Sequence, residues 1–234
     1  MIICEIGQNF VGKIPLAKTL IKLAKENGGD LAKFQLYDTD ALYEKGTDLY
    51  QQAKEAELSF DQATMLFDYG QEIGIEVFFS VFDVEKVRWC EEIGVRRYKI
   101  ACRLNSDSPL LDAVARTKKP CFISYEDEYN RSWIRLCAYG TRFSNIALLY
   151  CVPEYPAQSV RFRDNFDGEA AWATGFSDHT IGIDVAKIAL ARGAHIIEKH
   201  FCLSHYVGVD GKWSITPEEL RELKRWENVC KEVL

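Results

Sequence analysis

The first 35 residues decide the fold. They read Ile2-Ile3-Cys4-Glu5-Ile6, then Gly7-Gln8-Asn9, then a helix-spaced run over 13–27 closed by Gly28-Gly29, then Leu31-Ala32-Lys33-Phe34-Gln35. The opening run is β-branched, apolar and of strand length, and it stops at turn-forming residues. In the second run Leu16, Ala17, Leu20, Leu23 and Ala24 recur at helical spacing until the paired glycines end it. A helical crossover between two short strands makes those strands parallel. Glu5 is the odd residue of the first strand. Successive side chains of a strand face opposite ways, so a carboxylate at position 5 that looks into a site keeps the thiol of Cys4 out of it.

Outward from this unit the pattern repeats. Further strands are predicted over 75–80, 97–101, 120–124, 146–151, 174–177 and 195–200. Between Gln35 and Ser59 lies a polar loop, after which the box Ser59-x-x-Gln62 starts a helix that ends before Gly74. Asp83 caps the next, Ser108-Pro109 opens another, and helices are expected over 127–138, 160–172 and 181–192. Thr216-Pro217-Glu218-Glu219 is a capping box with proline in the first turn, launching the last helix. Eight alternations in one series predict an α/β protein, a closed (β/α)8 TIM barrel forming a single domain over 1–234. An open doubly wound sheet is the runner-up, but the first strand-turn-helix lacks its phosphate-binding glycine fingerprint.

The bulk composition excludes several classes of function. With 47% hydrophobic residues and no Pro/Gly/Ser-rich linker, the 234 residues suit one core. The net charge of -6, with both signs interspersed, offers no basic stripe for nucleic acid. Apolar runs such as 146–152 are strand-sized, so no membrane span is expected. Met1-Ile2-Ile3-Cys4-Glu5 lacks the features of a signal peptide, which makes the cytoplasm the expected location. The eight cysteines are scattered without C-x-x-C spacing and read as reduced, mostly buried small hydrophobes.

Barrel enzymes keep their chemistry at the C-terminal ends of the strands. Glu5, Lys33, Gln35, Ser80, Lys99, Ser124, Tyr155, Ser177, His179, Glu198 and His200 all fall at or just beyond such ends. Ser177 shares a face with His179, and Glu198 with His200, so neighbouring strands aim two imidazoles at one point. Asp210 follows closely enough to reach back. Neutral imidazole beside carboxylate suits a divalent first-row metal, while two lysines at one mouth call for an anion to offset them. Each residue also has a plainer reading: the serines as helix caps, the lysines as rim residues, Glu198 as a partner of Lys199 or an arginine. His195 and His205 do not join the group.

The motifs Cys4-Glu-Ile-Gly-Gln-Asn9, Lys33-Phe-Gln35, Phe79-Ser80 with Phe82-Asp83, Tyr98-Lys-Ile-Ala101, Tyr155-Pro156, Phe176-Ser-Asp-His-Thr180, Glu198-Lys-His-Phe201, and Asp210 with Ser214 run through the chain in order. In this they resemble the barrel domain of the sialic acid synthase family. That resemblance implies condensation of phosphoenolpyruvate with an open-chain N-acetylated hexosamine or related sugar, giving nonulosonic 2-keto acids such as N-acetylneuraminate, legionaminate or pseudaminate. It implies that His179 and His200 bind a divalent metal, manganese or magnesium, with Glu198 and Asp210 nearby. Lys33, Lys99, Ser80, Ser124 and Ser177 would hold phosphoenolpyruvate. Glu5, Gln35, Tyr155 and Asp210 would face the sugar, with Glu5 or Asp210 managing protons.

The chain also departs from the family pattern. Cys102-Arg103-Leu104 stands where Ser, Gly and Glu are usual, Ser124-Tyr125-Glu126 replaces Ser-Thr-Gly, and Pro153 replaces a polar sugar contact. The sequence stops after the eighth helix, where the family continues into a small antifreeze-like domain that sends an arginine into the sugar site of a partner subunit; a homodimer is the assembly the resemblance carries with it. These departures imply a different or smaller acceptor, which Arg103 would bind if it were acidic. Two other readings stay open: a barrel that has lost catalysis and serves as a binding subunit, and a Schiff-base aldolase using Lys99 or Lys33.

Overall fold

The computed structural model describes residues 1–126, 132, 134, 145–162 and 175–234. Its strands are β1 (Ile2–Glu5), β2 (Leu31–Leu36), β3 (Glu76–Val81), β4 (Tyr98–Ile100), β5 (Cys121–Tyr125), β6 (Ile146–Cys151), β7 (Gly175–Asp178) and β8 (Ile196–His200). Each pairs in parallel with the next, and β8 returns to β1, closing the barrel expected from the eight alternations. No helix among the described residues is long and apolar enough to cross a membrane.

Local chemistry accounts for the helices that brace the strands. Ser59 and Gln62 form the reciprocal capping box at the start of Phe60–Ile73, and Thr216 with Glu219 does the same for Pro217–Val233. Asp83 accepts from the Lys86 N–H ahead of Val84–Ile93. The helix Ser108–Arg116 is capped by Asp107, one residue before the expected opening. The helix expected over 181–192 is shorter, Asp184–Ala191, since Gly182 takes a left-handed conformation at φ 75°.

The expected polar loop before Ser59 contains two helices, Thr39–Leu42 capped by Asp38 and Asp48–Glu55 capped by Thr47. Those caps were the signal available in the sequence. The helix expected over 127–138 lies outside the described residues except for helical Ser132 and Ile134. Of the one expected over 160–172, only the single-turn segment Ser159–Phe162 is described, and it is a 3-10 turn.

The barrel interior is layered. At the N-terminal end Ile3, Leu31, Phe78, Phe122, Leu149 and Ile196 pack into an apolar floor, with the Phe78 and Phe122 rings edge to face at 5.8 Å. Gly175 completes it: a Cβ there would lie 2.6 Å from both Leu149 Cδ2 and the Ile196 carbonyl, so β7 enters as bare backbone. One step toward the C-terminal end, the same inward-facing rows carry Glu5, Lys33, Ser80, Lys99, Ser124, Ser177 and Glu198, all buried. Register fixes their neighbours: Glu5 is opposite Lys33, Ser80 opposite Lys99, and Ser177 opposite Glu198. The alternate rows, with Phe34, Phe79, Tyr98, Ile123, Tyr150, Phe176 and Ile197, form the larger core beneath the helices. Cys4 lies in that outer core, on the side away from Glu5, as the alternation requires. Of the described cysteines all seven are free thiols, five of them buried.

Candidate active site

A cavity opens at the C-terminal end of the strands. Glu5, Lys33, Gln35, Ser80, Lys99, Ser124, Tyr155, Ser177, His179, Glu198 and His200 all line it. Asp210 is the one singled-out residue outside that lining. Its carboxylate reaches back as expected, but to the imidazole: Oδ2 lies 3.2 Å from His200 Nδ1. Sequence reasoning missed the thiol of Cys151, an inward-facing strand-end residue like Ser177, and Phe82 as cavity walls.

The charged layer is largely self-compensated, which corrects the expectation that two buried lysines need an external anion. Glu198 sits between them, Oε2 at 2.9 Å from Lys33 Nζ and Oε1 at 3.2 Å from Lys99 Nζ, while Ser177 Oγ donates to Oε1 at 2.8 Å. Lys33 also reaches Glu5 Oε2 at 3.0 Å and donates to Ser80 Oγ at 3.0 Å. Three oxygens thus lie within 3.0 Å of Lys33 Nζ. Gln35 Nε2 donates to Glu5 Oε1 at 2.5 Å. Gly7, at φ 51°, makes room for this pair, because a Cβ there would stand 3.0 Å from Glu5 Oε1.

Lys99 differs from Lys33. Among the described residues its only carboxylate contact is Glu198. Burial pushes its pKa below that of an ordinary lysine, and Glu198 compensates only in part. For Lys33 burial pushes the same way, but Glu198 and Glu5 outweigh it and hold the ammonium above its usual value. Burial would raise the carboxyl of Glu198; the two lysines overcome this and keep it ionised. Nearby, the buried Ser124 Oγ has no hydrogen-bond partner among the described residues. An under-compensated ammonium and an unpaired buried hydroxyl on one wall make a seat for an anionic oxygen.

The two imidazoles occupy the opposite side, ring centres 5.7 Å apart. His179 Nδ1 lies 2.8 Å from the Val152 carbonyl, which makes Nδ1 the protonated nitrogen and leaves Nε2 with its lone pair. Burial, followed by the neighbouring His200, lowers its pKa to about 3, so it is neutral near pH 7. For His200 burial also disfavours the charge, yet Asp210 outweighs it and raises the pKa. Tyr155, about half exposed, stacks over His179 at 4.2 Å and meets His200 edge-on at 6.0 Å, with Trp213 behind it at 6.0 Å.

A divalent ion fits part of this arrangement. Two imidazole nitrogens each about 2.1 Å from one ion place their ring centres roughly 5–6 Å apart, which the observed spacing matches. Both rings have a carbonyl or carboxylate on Nδ1, the usual orientation device for a ligand His. Among the described residues no group of three His, Cys, Asp or Glu converges at metal-binding distance, Glu198 being taken by Lys33, Lys99 and Ser177. The pair therefore suits an ion that keeps most of its shell for water or substrate oxygens. Lys199 does not pair with Glu198; it faces the outer core and pairs with Asp178.

The three departures also have places. Cys102 lines the cavity, Arg103 is exposed at the rim with its guanidinium 6.0 Å from the Phe82 ring centre, and Leu104 packs on the outer core. Tyr125 turns outward onto Tyr150, and Pro153 and Glu126 are exposed.

A closed parallel barrel whose C-terminal mouth gathers buried charges, an anion seat and paired imidazoles has the architecture of a (β/α)8 enzyme. The chain belongs to the NeuB family, whose model matches residues 20–233. It is 34% identical over 231 residues to an uncharacterized Methanocaldococcus jannaschii protein, covering 95% of this chain and 68% of that one. It is 32% identical over 248 residues to the N,N'-diacetyllegionaminic acid synthase of Legionella pneumophila, covering 95% and 69%. Among solved structures, the N-acetylneuraminic acid synthetase of Leptospira borgpetersenii in complex with citrate superimposes with a TM-score of 0.92 at 27% identity, over 99% of this chain and 84% of that one.

Proposed function

We propose that this chain condenses phosphoenolpyruvate with the open-chain aldehyde of an N-acetylated amino sugar or related sugar, forming a nonulosonic 2-keto acid and releasing phosphate. The observation that carries this reading is the adjacency, in one cavity, of the Lys99–Ser124 anion seat and the paired imidazoles of His179 and His200. Lys99, Ser124 and Ser80 hold the anionic groups of the enol ester and turn its C3 toward the imidazole side, while Ser177, whose O–H goes to Glu198, braces that carboxylate instead. Lys33 holds the carboxylates of Glu5 and Glu198 in place. Glu5, Gln35 and Tyr155 border the sugar. A divalent ion such as manganese or magnesium, held by His179 and His200 when bound, would polarise the aldehyde oxygen.

C3 attacks the aldehyde carbon, and the aldehyde oxygen takes a proton from water on the side that Asp210 and Glu5 border. Water then adds at C2, giving up a proton, and C2 expels phosphate to become the keto carbon. The test is incubation of metal-loaded protein with phosphoenolpyruvate and a panel of N-acetylated and plain aldoses, reading phosphate release and product mass. Sugar-dependent phosphate release that a chelator abolishes supports the reading. No release with any sugar, or release indifferent to the chelator, overturns it.

One observation favours a second reading, an aldolase working through a Schiff base. The lowered pKa of Lys99 brings its amine closer to the nucleophilic form. Borohydride trapping of Lys99 with a 2-keto acid, without metal, would support that reaction over condensation.

A further inference from the structure

Asp178 and Lys199 immediately neighbour His179 and His200 in sequence, yet both point away from the cavity. They are register partners at the ends of β7 and β8. Their charged groups lie 3.0 Å apart with both side chains at 0% exposure. Asp178 Oδ1 accepts from the Thr180 N–H and from Thr180 Oγ1, each at 2.8 Å, and Lys199 Nζ donates to the Thr180 carbonyl. The contacts form a closed ring with His179 held between Asp178 and Thr180. The ring sits against the outer apolar core that contains Phe176, Ile183, Ile197 and Phe201.

Stability alone is a poor reason for charges there. Removing two ions from water is expensive, and an apolar pair of similar volume is often as stable or more so. What an apolar pair does not supply is direction. The ion pair and its bonds to Thr180 fix where the backbone of residue 179 lies relative to that of residue 200, two strands' ends that have no hydrogen-bonded register beyond Asp178 and Lys199.

We infer that the Asp178–Lys199–Thr180 ring sets the spacing and orientation of the His179 and His200 imidazoles, which makes Asp178 and Lys199 positioning residues for the site. The consequence for turnover rests on the synthase reading above; the consequence for the rings does not.

The test is ring nitrogen–proton correlation spectra of labelled protein, without metal, for wild type, Asp178→Asn, Lys199→Arg and the Asp178→Leu/Lys199→Met pair. In wild type, His179 gives the signature of a single Nδ1–H tautomer. In the paired variant, the His179 and His200 signals move and His179 averages between tautomers, while His195 and His205 stay put. Calorimetry with Mn²⁺ shows affinity weakened about tenfold, and kcat falls while the KM for phosphoenolpyruvate holds within about twofold. Lys199→Arg, which keeps the charge, recovers most of the wild-type spectrum.

A folded paired variant with wild-type His179 and His200 signals overturns the inference. Should that variant not fold, Asp178→Asn removes one charge at constant shape, and unchanged ring signals in it overturn the inference equally. Wild-type protein that releases no phosphate sinks the synthase reading alone, because the ring spectra are read without substrate or metal.

Discussion

The two layers of the barrel interior stand on the same inward-facing strand rows and solve opposite problems. The floor, Ile3, Leu31, Phe78, Phe122, Leu149 and Ile196, excludes water and needs no partners. The layer above it buries Glu5, Lys33, Lys99 and Glu198, two charges of each sign, and needs every one of them. Barrel interiors are usually filled by branched apolar side chains. Here only the lower part follows that rule. The lesson is that neighbouring layers can be separated in function: one holds the barrel together, and the other spends stability on a site.

The sharpest break of this comparison is Phe78→Ala, which should cost about 3–5 kcal/mol of unfolding free energy in denaturant melts, yet leave phosphoenolpyruvate affinity per folded molecule unchanged. Next is Glu198→Gln. It strands Lys99 and weakens the hold on Lys33, so a loss of about 3 kcal/mol is expected, and anion affinity should rise because the seat gains uncompensated positive charge. A variant as stable as wild type would mean that the layer is not electrostatically coupled.

Lys99→Met reverses the pattern. Phosphoenolpyruvate affinity measured by calorimetry should fall about 100-fold, or about 2.7 kcal/mol, with a smaller loss of stability than in Glu198→Gln, because Glu198 keeps Lys33. In the wild type, that affinity should fall as pH rises through the lowered pKa of Lys99, at a pH below the 10.5 of an ordinary lysine, because only the ammonium holds the anion.

On the imidazole side, a divalent cation needs neutral His200, whose pKa is raised by Asp210. Below that pKa the affinity should drop about tenfold per pH unit and level off above it. His179, at about 3, adds no competition near neutrality. Asp210→Asn should shift the onset to lower pH, as read by Mn²⁺ titration across a pH series. The smallest expected effect is Ser59→Ala, about 1 kcal/mol from the lost cap, with both layers untouched and every binding constant unchanged.

The barrel was legible because strand alternation and helix punctuation agree along most of the chain. Glu5 against Cys4, Ser177 with His179, and Glu198 with His200 were placed on their faces by period alone, and the structure has them there. What period does not carry is the state of each charge. Lys33 and Lys99 look equivalent in sequence, and only the converging geometry reveals that oxygens of Glu5, Glu198 and Ser80 surround the first within 3.0 Å while the second has, among the described residues, Glu198 alone among carboxylates. Asp210 was expected to return to the site, but that its partner is an imidazole nitrogen depends on how the loop after β8 folds. The helices Thr39–Leu42 and Asp48–Glu55 were hidden by brevity, since four to eight residues hold too few turns for a periodic signal.

The edge-to-face phenyl rings of the floor give the cavity a blind end among the described residues. Lys99, buried to 3% exposure, lies deep in that cavity, and the half-exposed ring of Tyr155 lines it as well. On the reading proposed above, an anion seated at that closed end would have to arrive before an acceptor that covers it, an order that product-inhibition kinetics would read out.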